Sequence, residues 1–262
     1  CMGLTTALTL YLRGYKNIKI IGEKGAGPSY DAGGLIEFSL STIYNQENIN
    51  YINNLFKHSF LEYRKIAEGG HKYIKNGVKE VDYYTDFFQE GAGLSYLANI
   101  GLIPQVKHVR LKVGDCESRE LWHFKTFHVV TTVFMNELTY SLKKLGINIE
   151  HRKITSFDQI KSDMIFNCTG LGSRELNNDK DCYPICGHGV ILSDDSYKNH
   201  GYILRLSEVS EFNGHKIGGS LYFMPKDSGF IGGSYMKDYD GSNDQVNKEV
   251  LTNMMERKIG RA

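Results

Sequence analysis

The first 23 residues combine a helical pattern, a tight stop and a short apolar strand that ends in an acid. Apolar side chains recur at helical spacing over Met2–Leu12, and Gly14 follows at a position typical of a helix end. Residues 18–21 are predicted to form a short buried strand, and Glu23 stands at its end. Helix, turn, strand and terminal acid together predict the second half of a βαβ unit that binds a dinucleotide.

Gly3 is placed like the last glycine of a G-x-G-x-x-G fingerprint, where a glycine lets the helix pack close to the sheet. Glu23 lies about 20 residues further on, which is the expected spacing for the acid that binds a ribose. The first two glycines and their strand would then precede Cys1, and the lack of an initial methionine agrees with a fragment. The alternative is an ordinary amphipathic helix and strand.

Bulk composition restricts the class of protein. A chain of 262 residues forms one large domain or two interwoven ones. With a formal net charge of +1, neither nucleic acid nor an acidic membrane is an expected partner, and no apolar run is long enough to span a membrane. The five cysteines are scattered, which favours reduced thiols in a cytosolic setting. His123 and His128 have no carboxylate or cysteine at ligand spacing, so no metal site is predicted.

Two further stretches are predicted to approach a cofactor. The glycine-rich segment 25–35 follows the first strand, and such a segment is either a surface loop or backbone that passes close to a ligand. Residues 164–167 are predicted to form a buried parallel strand that runs into the turn 167–172. Because ligands of open α/β sheets bind beyond the carboxyl ends of strands, this turn is expected beside the helix start at Gly3.

Periodicity elsewhere predicts three more helices and a series of strands. The helices are expected over 48–67, 132–145 and 243–257. The strands are expected over 78–84, 106–113, 147–151, 187–192, 202–206, 221–224 and 230–235, with a short strand or turn at 127–130 and a hairpin turn at 226–229.

The motifs resemble the D-amino-acid oxidase family of flavoproteins over almost the whole chain, without either end of the family sequence. Residues 3–7 are similar to the family's G-L-S/T-T-A helix start, which is generic to nucleotide-binding folds. Residues 152–157 and 165–170 are similar to its R-K-V-x-S-F and V-N-C-T-G segments. Residues 222–225 and 231–233 are similar to its Y-I-I-P and L-G-G hairpin. The last two matches, in this order, are much more specific than the first.

The resemblance implies a non-covalently bound FAD. Glu23 would bind the adenosine ribose, Ile154 would contact the adenine end through its backbone, and Thr169 and Gly170 would contact the ribityl or adenosine portion. The remaining predicted FAD-binding residues lie at the helix start, after the first strand and in the glycine-rich segment. They are Gly3, Leu4, Lys24, Ser29, Ala32, Gly33, Gly34 and Leu35.

The implied reaction is oxidative deamination of a D-amino acid, with oxygen as the second substrate and a 2-oxo acid, ammonia and hydrogen peroxide as products. Tyr222 matches the tyrosine that hydrogen-bonds the substrate carboxylate; the alternative is a sheet tyrosine with its ring in the core. The chain departs from the family at Gly218, where a second active-site tyrosine is common. It also lacks the G-x-R-P segment that carries the carboxylate-binding arginine and the late glycine-rich flavin loop.

Two other functions stay open at this point, an oxidase of glycine, sarcosine or another secondary amine, and a truncated non-catalytic remnant. The predicted fold is α/β, with a Rossmann-like FAD domain (1–36 and 128–186) interwoven with a mixed, largely antiparallel substrate domain (37–127 and 187–242). Residues 243–262 would begin a C-terminal return segment. The resemblance also implies a homodimer for the full-length form, in the cytoplasm or, in a eukaryote, the peroxisome.

Overall fold

A computed structural model describes residues 1–25, 27–37, 48–112, 118–193, 200–212, 215–226 and 228–258, with the backbone alone at 204–212, 215–221, 253 and 255–258. It is a mixed α/β structure, as predicted. The helices are α1 (Met2–Leu12), α2 (Ile49–Ala67), α3 (Gly93–Asn99), α4 (Thr131–Lys144), α5 (Ser173–Leu176) and α6 (Asp244–Lys258). The strands are β1 (Ile20–Gly22), β2 (Val78–Thr85), β3 (Lys107–Leu111), β4 (Arg119–Val129), β5 (Ile149–His151), β6 (Ile185–Cys186), β7 (Gly189–Ile191), β8 (His200–Phe212), β9 (His215–Met224), β10 (Phe230–Ser234) and β11 (Met236–Lys237).

Helices α1, α2 and α4 form where apolar spacing predicts them. Phe60 on α2 and Leu138 and Leu142 on α4 are fully buried, because helical periodicity gathers them on one face. Gly14 and Gly146 end α1 and α4 as predicted, with φ angles of 96° and 78°. Only glycine adopts such a left-handed conformation without steric cost, which explains the sharp helix ends.

A small parallel sheet joins the two ends of the predicted dinucleotide-binding unit. β1 pairs with β5, with Ile20 opposite Ile149 and Gly22 opposite His151. The strands predicted over 18–21 and 147–151 are therefore present, but shorter and shifted by one or two residues. Helices α1 and α4 pack on this pair through a core that includes Ala7, Leu8 and Ile147.

A seven-stranded sheet, with strand order β3-β4-β2-β8-β9-β10-β7, forms the larger body of the protein. Among the described strands of this sheet, β2 and β8 are the parallel neighbours and the other pairs are antiparallel. One face of β2 and β4 is buried, and Tyr83 and Phe124 contribute to a core with α2 and α3. β8 and β9 extend well beyond the predicted strands 202–206 and 221–224, because they pair with each other along nearly their full length.

The predicted buried strand over 164–167 is wrong. The structure assigns no strand there, and Met164, Ile165 and Phe166 are 69%, 40% and 51% exposed. Among the described residues, β1 and β5 pair only with each other, so the backbone of 164–167 has no neighbouring strand. An extended segment without a partner strand or a packed layer buries neither of its faces.

β4 is longer than the sequence suggests. Residues 127–129, predicted as the start of a short strand or turn, are the end of this eleven-residue strand. The segment 34–36 pairs with this end, since Ile36 N donates to Phe127 O at 2.8 Å and Val129 N donates to Gly34 O at 2.7 Å. β4 therefore runs through the predicted domain boundary at 127/128, and that boundary stays a prediction. The predicted strand end at Val113 and the turn residue Asp227 lie outside the described residues.

The C-terminal helix α6 packs on the short pair β6 and β11. Buried Met236, Val250 and Met254 form the core of this contact. His188 bridges the same elements, with its Nδ1 2.9 Å from Ser234 Oγ and its Nε2 2.9 Å from Asn247 Oδ1. Both ring nitrogens of His188 therefore have a hydrogen-bond partner, and these bonds connect α6 to the strands.

Candidate functional site

The N-terminus of α1 presents hydrogen-bond donors. The first intrahelical bond runs from Thr5 N to Cys1 O at 3.0 Å, so the N–H groups of Met2, Gly3 and Leu4 have no helical acceptor. The predicted site residue Ser29 lies at the same place, with its Oγ 2.9 Å from the Cys1 nitrogen. The structure thus brings the helix start and the beginning of the glycine-rich segment together.

The turn 167–172 approaches this helix start, as predicted. A Cβ on Gly3 would lie 3.5 Å from the Cys168 Cβ, and Thr6 Oγ1 lies 3.8 Å from Cys168 Sγ. Thr169 holds the turn together, since its hydroxyl donates to Asn167 Oδ1 at 2.6 Å. A Cβ at 3.5 Å would make an ordinary van der Waals contact, so the helix start and the turn are close neighbours without the spacing itself requiring glycine at position 3.

The carboxyl ends of β1 and β5 lie side by side. Arg152 N donates to Gly22 O at 3.2 Å, so the parallel pairing continues to the last residue of β1. Glu23 and Lys24 follow directly and are exposed, and the half-buried Ile154 follows β5. These three predicted site residues therefore leave the same edge of the small sheet.

The segment 30–35, which contains predicted site residues Ala32, Gly33, Gly34 and Leu35, is held by its backbone carbonyls. Thr131 Oγ1 donates to Tyr30 O at 2.7 Å. Lys226 Nζ donates to Tyr30 O at 2.6 Å and to Ala32 O at 3.2 Å. Lys226 is 4% exposed and forms no ion pair with any described residue. Within the part of the chain that the structure describes, the hydrogen-bond partners of this buried ammonium are neutral carbonyl groups.

His128 also holds the segment 30–35 through a backbone carbonyl. Its Nε2 lies 2.8 Å from Gly33 O, so Nε2 carries the hydrogen and the ring is neutral with Nδ1 unprotonated. Burial lowers the pKa of His128 to about 4, against the opposing effect of that hydrogen bond. Gly34 completes the fit with a φ of 81°, and a Cβ there would lie 2.1 Å from Val129 O. The glycine is required by contact with β4.

Tyr222 lies on β9 with its ring against β10. A Cβ on Gly232 would lie 2.1 Å from the Tyr222 Cζ, and one on Gly187 would lie 4.0 Å from the Tyr222 hydroxyl oxygen. Glycine at position 232 leaves room for the ring. The ring is half-buried and stacks near Phe230, with ring centroids 6.0 Å apart. Burial raises the pKa of the Tyr222 phenol, so the hydroxyl stays protonated at neutral pH and can donate a hydrogen bond.

The sequence interpretation missed Lys226 and Thr131, which hold the segment 30–32. Lys226 follows Pro225 in a hairpin, where a charged residue normally faces solvent, so the sequence offers no signal for its burial. The sequence predicts no metal-binding role for His123, and in the structure its Nε2 lies 2.7 Å from Asp82 Oδ1. His128 likewise has a structural hydrogen bond, although its Nδ1 is buried without a partner among the described residues.

The donor chemistry fits an FAD in its diphosphate and ribose portions. Free amides at the start of an eleven-residue helix and the Ser29 hydroxyl suit an anionic diphosphate. The exposed Glu23 carboxylate at the end of a parallel strand suits ribose hydroxyls. The described residues contain no group of three or more side chains arranged to hold a metal ion. Within the same residues, no helix has the length and apolar character needed to cross a bilayer.

Comparison with known proteins also indicates an FAD-dependent oxidoreductase. The sequence model of a family described as "FAD dependent oxidoreductase" matches residues 1–259. A D-amino-acid oxidase from Dictyostelium discoideum is 36% identical over 72 residues, which are 27% of this chain and 21% of the relative. A D-amino acid oxidase from Dugesia ryukyuensis is 41% identical over 49 residues, which are 17% of this chain and 15% of the relative. Each curated match thus spans well under half of its relative.

Two solved structures share the fold. Iminodiacetate oxidase from Chelativorans sp. BNC1 aligns with a TM-score of 0.54 at 14% identity, over 98% of this chain and 76% of that one. Glycine oxidase from Geobacillus kaustophilus aligns with a TM-score of 0.53 at 14% identity, over 99% of this chain and 76% of that one. At this level of identity, the likeness concerns the fold, and it supports the predicted combination of a Rossmann-like part and a mixed sheet.

Proposed function

The chain belongs to the family of FAD-dependent oxidoreductases, and from this premise we propose that it carries out the oxidative deamination of D-amino acids. The two curated relatives named as D-amino-acid oxidases support this substrate class. The observation that carries the proposal is the convergence of the α1 start, Ser29 and the turn 167–172 on one place, close to a segment that the buried Lys226 holds.

In this proposal the residues of the α1 start bind the cofactor's diphosphate, and Glu23 binds the ribose. The segment Ala32–Leu35 approaches the flavin, with Ile154, Thr169 and Gly170 along the rest of the cofactor. Bound FAD supplies the acceptor for the hydride that leaves the substrate α-carbon. The protein's own part is to bind the cofactor, to orient the substrate and to exclude water around the reacting carbon.

Tyr222 is the proposed carboxylate anchor. Its phenol is protonated at neutral pH and half-buried, so a hydrogen bond to a carboxylate would be charge-assisted and partly shielded from water. Two glycines, Gly187 and Gly232, lie beside the hydroxyl, so no side chain projects from these positions towards it.

The proposal is tested by recording the absorbance spectrum of the purified protein and its release of hydrogen peroxide. We expect a flavin spectrum and peroxide release from D-amino acids but not from their L-enantiomers. Glycine, sarcosine and iminodiacetate belong in the same panel. Turnover of these amines with no turnover of any chiral D-amino acid would replace the proposed substrate by a small achiral amine. Stoichiometric NADP without flavin would overturn the cofactor as well.

A further inference from the structure

The Tyr222 hydroxyl lies against two backbone segments that carry no side chain. A Cβ on Gly232 would lie 2.3 Å from the hydroxyl oxygen, and one on Gly187 would lie 4.0 Å from it. Gly232 is opposite Tyr222 in the pairing of β9 with β10, so the strand ladder sets its position. Gly187 lies between β6 and β7 and belongs to neither strand. Its place beside the hydroxyl therefore depends on other contacts.

These contacts come from Ser234 of β10, which binds the next residue, His188, in two ways. His188 N donates to Ser234 Oγ at 2.6 Å, and the ring Nδ1 lies 2.9 Å from the same oxygen. Because the Ser234 oxygen accepts from the backbone amide, its own hydrogen can be donated to Nδ1. The main chain of Ser234 is also close, since a Cβ on Gly187 would lie 3.5 Å from Ser234 O. Ser234 thus attaches the segment 187–188 to the strand on which the Tyr222 ring packs.

The opposite edge of the His188 ring is held by α6. Its Nε2 lies 2.9 Å from Asn247 Oδ1. With Nδ1 accepting from Ser234, Nε2 carries the hydrogen and donates it to Asn247. The Asn247 amide is itself fixed, because its Nδ2 donates to Gly241 O at 2.8 Å and its Oδ1 accepts from the Tyr239 hydroxyl at 2.8 Å. His188 and Ser234 are 8% and 7% exposed, so these bonds are shielded from water.

Buried hydrogen bonds of this kind restrict the movement of the groups that they support. A side chain that binds substrate must be held to within roughly 0.5 Å of its productive position, and packed, hydrogen-bonded neighbours provide that precision. Without the two bonds at Ser234, the segment 186–189 could move away from the phenol and admit water. Water competes with the phenol for hydrogen bonds to a carboxylate, so binding of the carboxylate would weaken.

We propose that His188 and Ser234 are positioning residues, which hold Gly187 against the Tyr222 hydroxyl and so orient that hydroxyl toward the substrate carboxylate. The proposal rests on the proposed function, because it concerns how the same site binds its substrate. His188 acts through the backbone of Gly187, and Asn247 supports the His188 ring from α6. The C-terminal helix is thereby connected to the carboxylate anchor through a continuous set of hydrogen bonds.

Ser234→Ala and His188→Phe test this role. The first removes the hydroxyl with little change in volume, and the second keeps a ring but loses both nitrogens. Butyrate, a carboxylate without an amino group, serves as the probe, and calorimetric titration of the purified protein measures its binding. Each variant should raise the butyrate dissociation constant by about tenfold. With D-alanine, KM should rise in the same proportion while kcat stays within about twofold of the natural value, because the lost interaction binds ground state and transition state alike.

A double-mutant cycle separates positioning from general destabilisation. In the Tyr222→Phe background, Ser234→Ala and His188→Phe should weaken butyrate binding by no more than about twofold, because no hydroxyl is left to position. An equal loss in both backgrounds, or no loss in the natural background, would overturn the proposal.

His71→Phe is the matched control, since this histidine also accepts a buried-segment hydrogen bond, from Ile74 N at 2.9 Å. Ile74 belongs to the core that α1 and α4 share, which is separate from β9 and β10. The control variant should lower thermal stability and leave butyrate binding unchanged. A loss of butyrate binding as large as that in His188→Phe would show a general effect of destabilisation and would overturn the positioning role.

The same measurements distinguish the failure of this proposal from that of the proposed function. Weaker butyrate binding in Tyr222→Phe, with none in Ser234→Ala or His188→Phe, would reject the positioning role and leave Tyr222 as the anchor. Unchanged butyrate binding in Tyr222→Phe would reject the anchor and the positioning role together, while peroxide release from D-amino acids still decides the oxidase function. If no amine is oxidised, the proposed function fails, and the butyrate cycle alone decides the positioning role.

Discussion

The Lys226 ammonium donates a 2.6 Å hydrogen bond to the carbonyl oxygen of Tyr30, 196 positions earlier in the chain. This bond connects the hairpin after β9 to the segment that is proposed to approach the flavin. Because the ammonium has no carboxylate partner among the described residues, it contributes an uncompensated positive charge to that region. Such a charge favours an anionic neighbour, either the diphosphate or the reduced flavin.

Lys226→Met is therefore expected to weaken FAD binding. The variant keeps most of the side-chain volume but loses two charge-assisted hydrogen bonds, each worth about 1.5–3 kcal/mol. The affinity should fall by tenfold or more, measured from the recovery of flavin fluorescence on dissociation. Lys237→Met is a suitable control, since Lys237 is exposed on β11. Equal affinity in both variants would show that the Lys226 hydrogen bonds have no effect on the cofactor.

Glu23→Ala tests the opposite end of the proposed cofactor site. The exposed carboxylate at the end of β1 would lose its hydrogen bonds to the ribose hydroxyls, and the FAD dissociation constant should rise about tenfold. Thermal stability of the protein without cofactor should stay unchanged, because Glu23 has no described contact that supports the fold. A normal FAD affinity would exclude Glu23 as a ribose ligand.

Tyr222→Phe should raise the KM for a D-amino acid by about tenfold, since one hydrogen bond to a charged group contributes about 1.5–3 kcal/mol. The ring would still pack on Gly232, so folding and flavin content should be preserved. Steady-state kinetics with D-alanine and oxygen at saturation measures the change. A KM within twofold of the natural value argues that the hydroxyl does not contact the substrate.

Gly34→Ala should destabilise the protein well beyond the cost of its backbone conformation. A left-handed φ costs about 1–2 kcal/mol for alanine, and here the Cβ would also lie 2.1 Å from Val129 O. Gly146→Ala is the matched control, with a φ of 78° and no atom within 4 Å of the added Cβ. Each variant's loss of unfolding free energy is measured by urea denaturation, and the difference between the two losses isolates the contact with β4. Equal losses would disprove a role for this contact.

Glu37 should make stability depend on pH. Its pKa is raised from 4.5 to about 7 in the folded protein, so its stabilising contribution is present below about pH 4.5 and is lost as the pH rises through 7. Relative to the natural protein, Glu37→Gln should therefore gain about 1–3 kcal/mol between pH 5 and pH 8. Urea titrations at the two pH values measure this gain in unfolding free energy. A constant difference between the proteins would show that Glu37 is not desolvated.

Local patterns in the sequence predict much of this fold. The helices α1, α2 and α4 follow from apolar spacing and from glycines at their ends. The approach of Gly3 to the turn 167–172 was also predicted, although the buried strand over 164–167 on which that prediction relied is absent. These features depend on residues close together in the chain or on a widely shared architecture.

Features that depend on tertiary partners are beyond this kind of prediction. Residues 164–167 have the composition of a buried strand, but a strand is buried only if another element covers it. The burial of Lys226 depends on carbonyl groups supplied by a distant segment of the chain. Single-sequence patterns carry no information on such long-range neighbours.

The parallel pairing of β2 with β8 has a consequence for folding. Asp82 pairs with His200, so closing this contact requires ordering a very long loop, whereas β2 and β4 can pair much earlier in synthesis. Until β8 is made, one edge of β2 exposes unpaired backbone groups that another chain could join. The pairing of β2 with β8 is therefore expected to form late and slowly. Incompletely synthesised chains should aggregate through the exposed edge of β2.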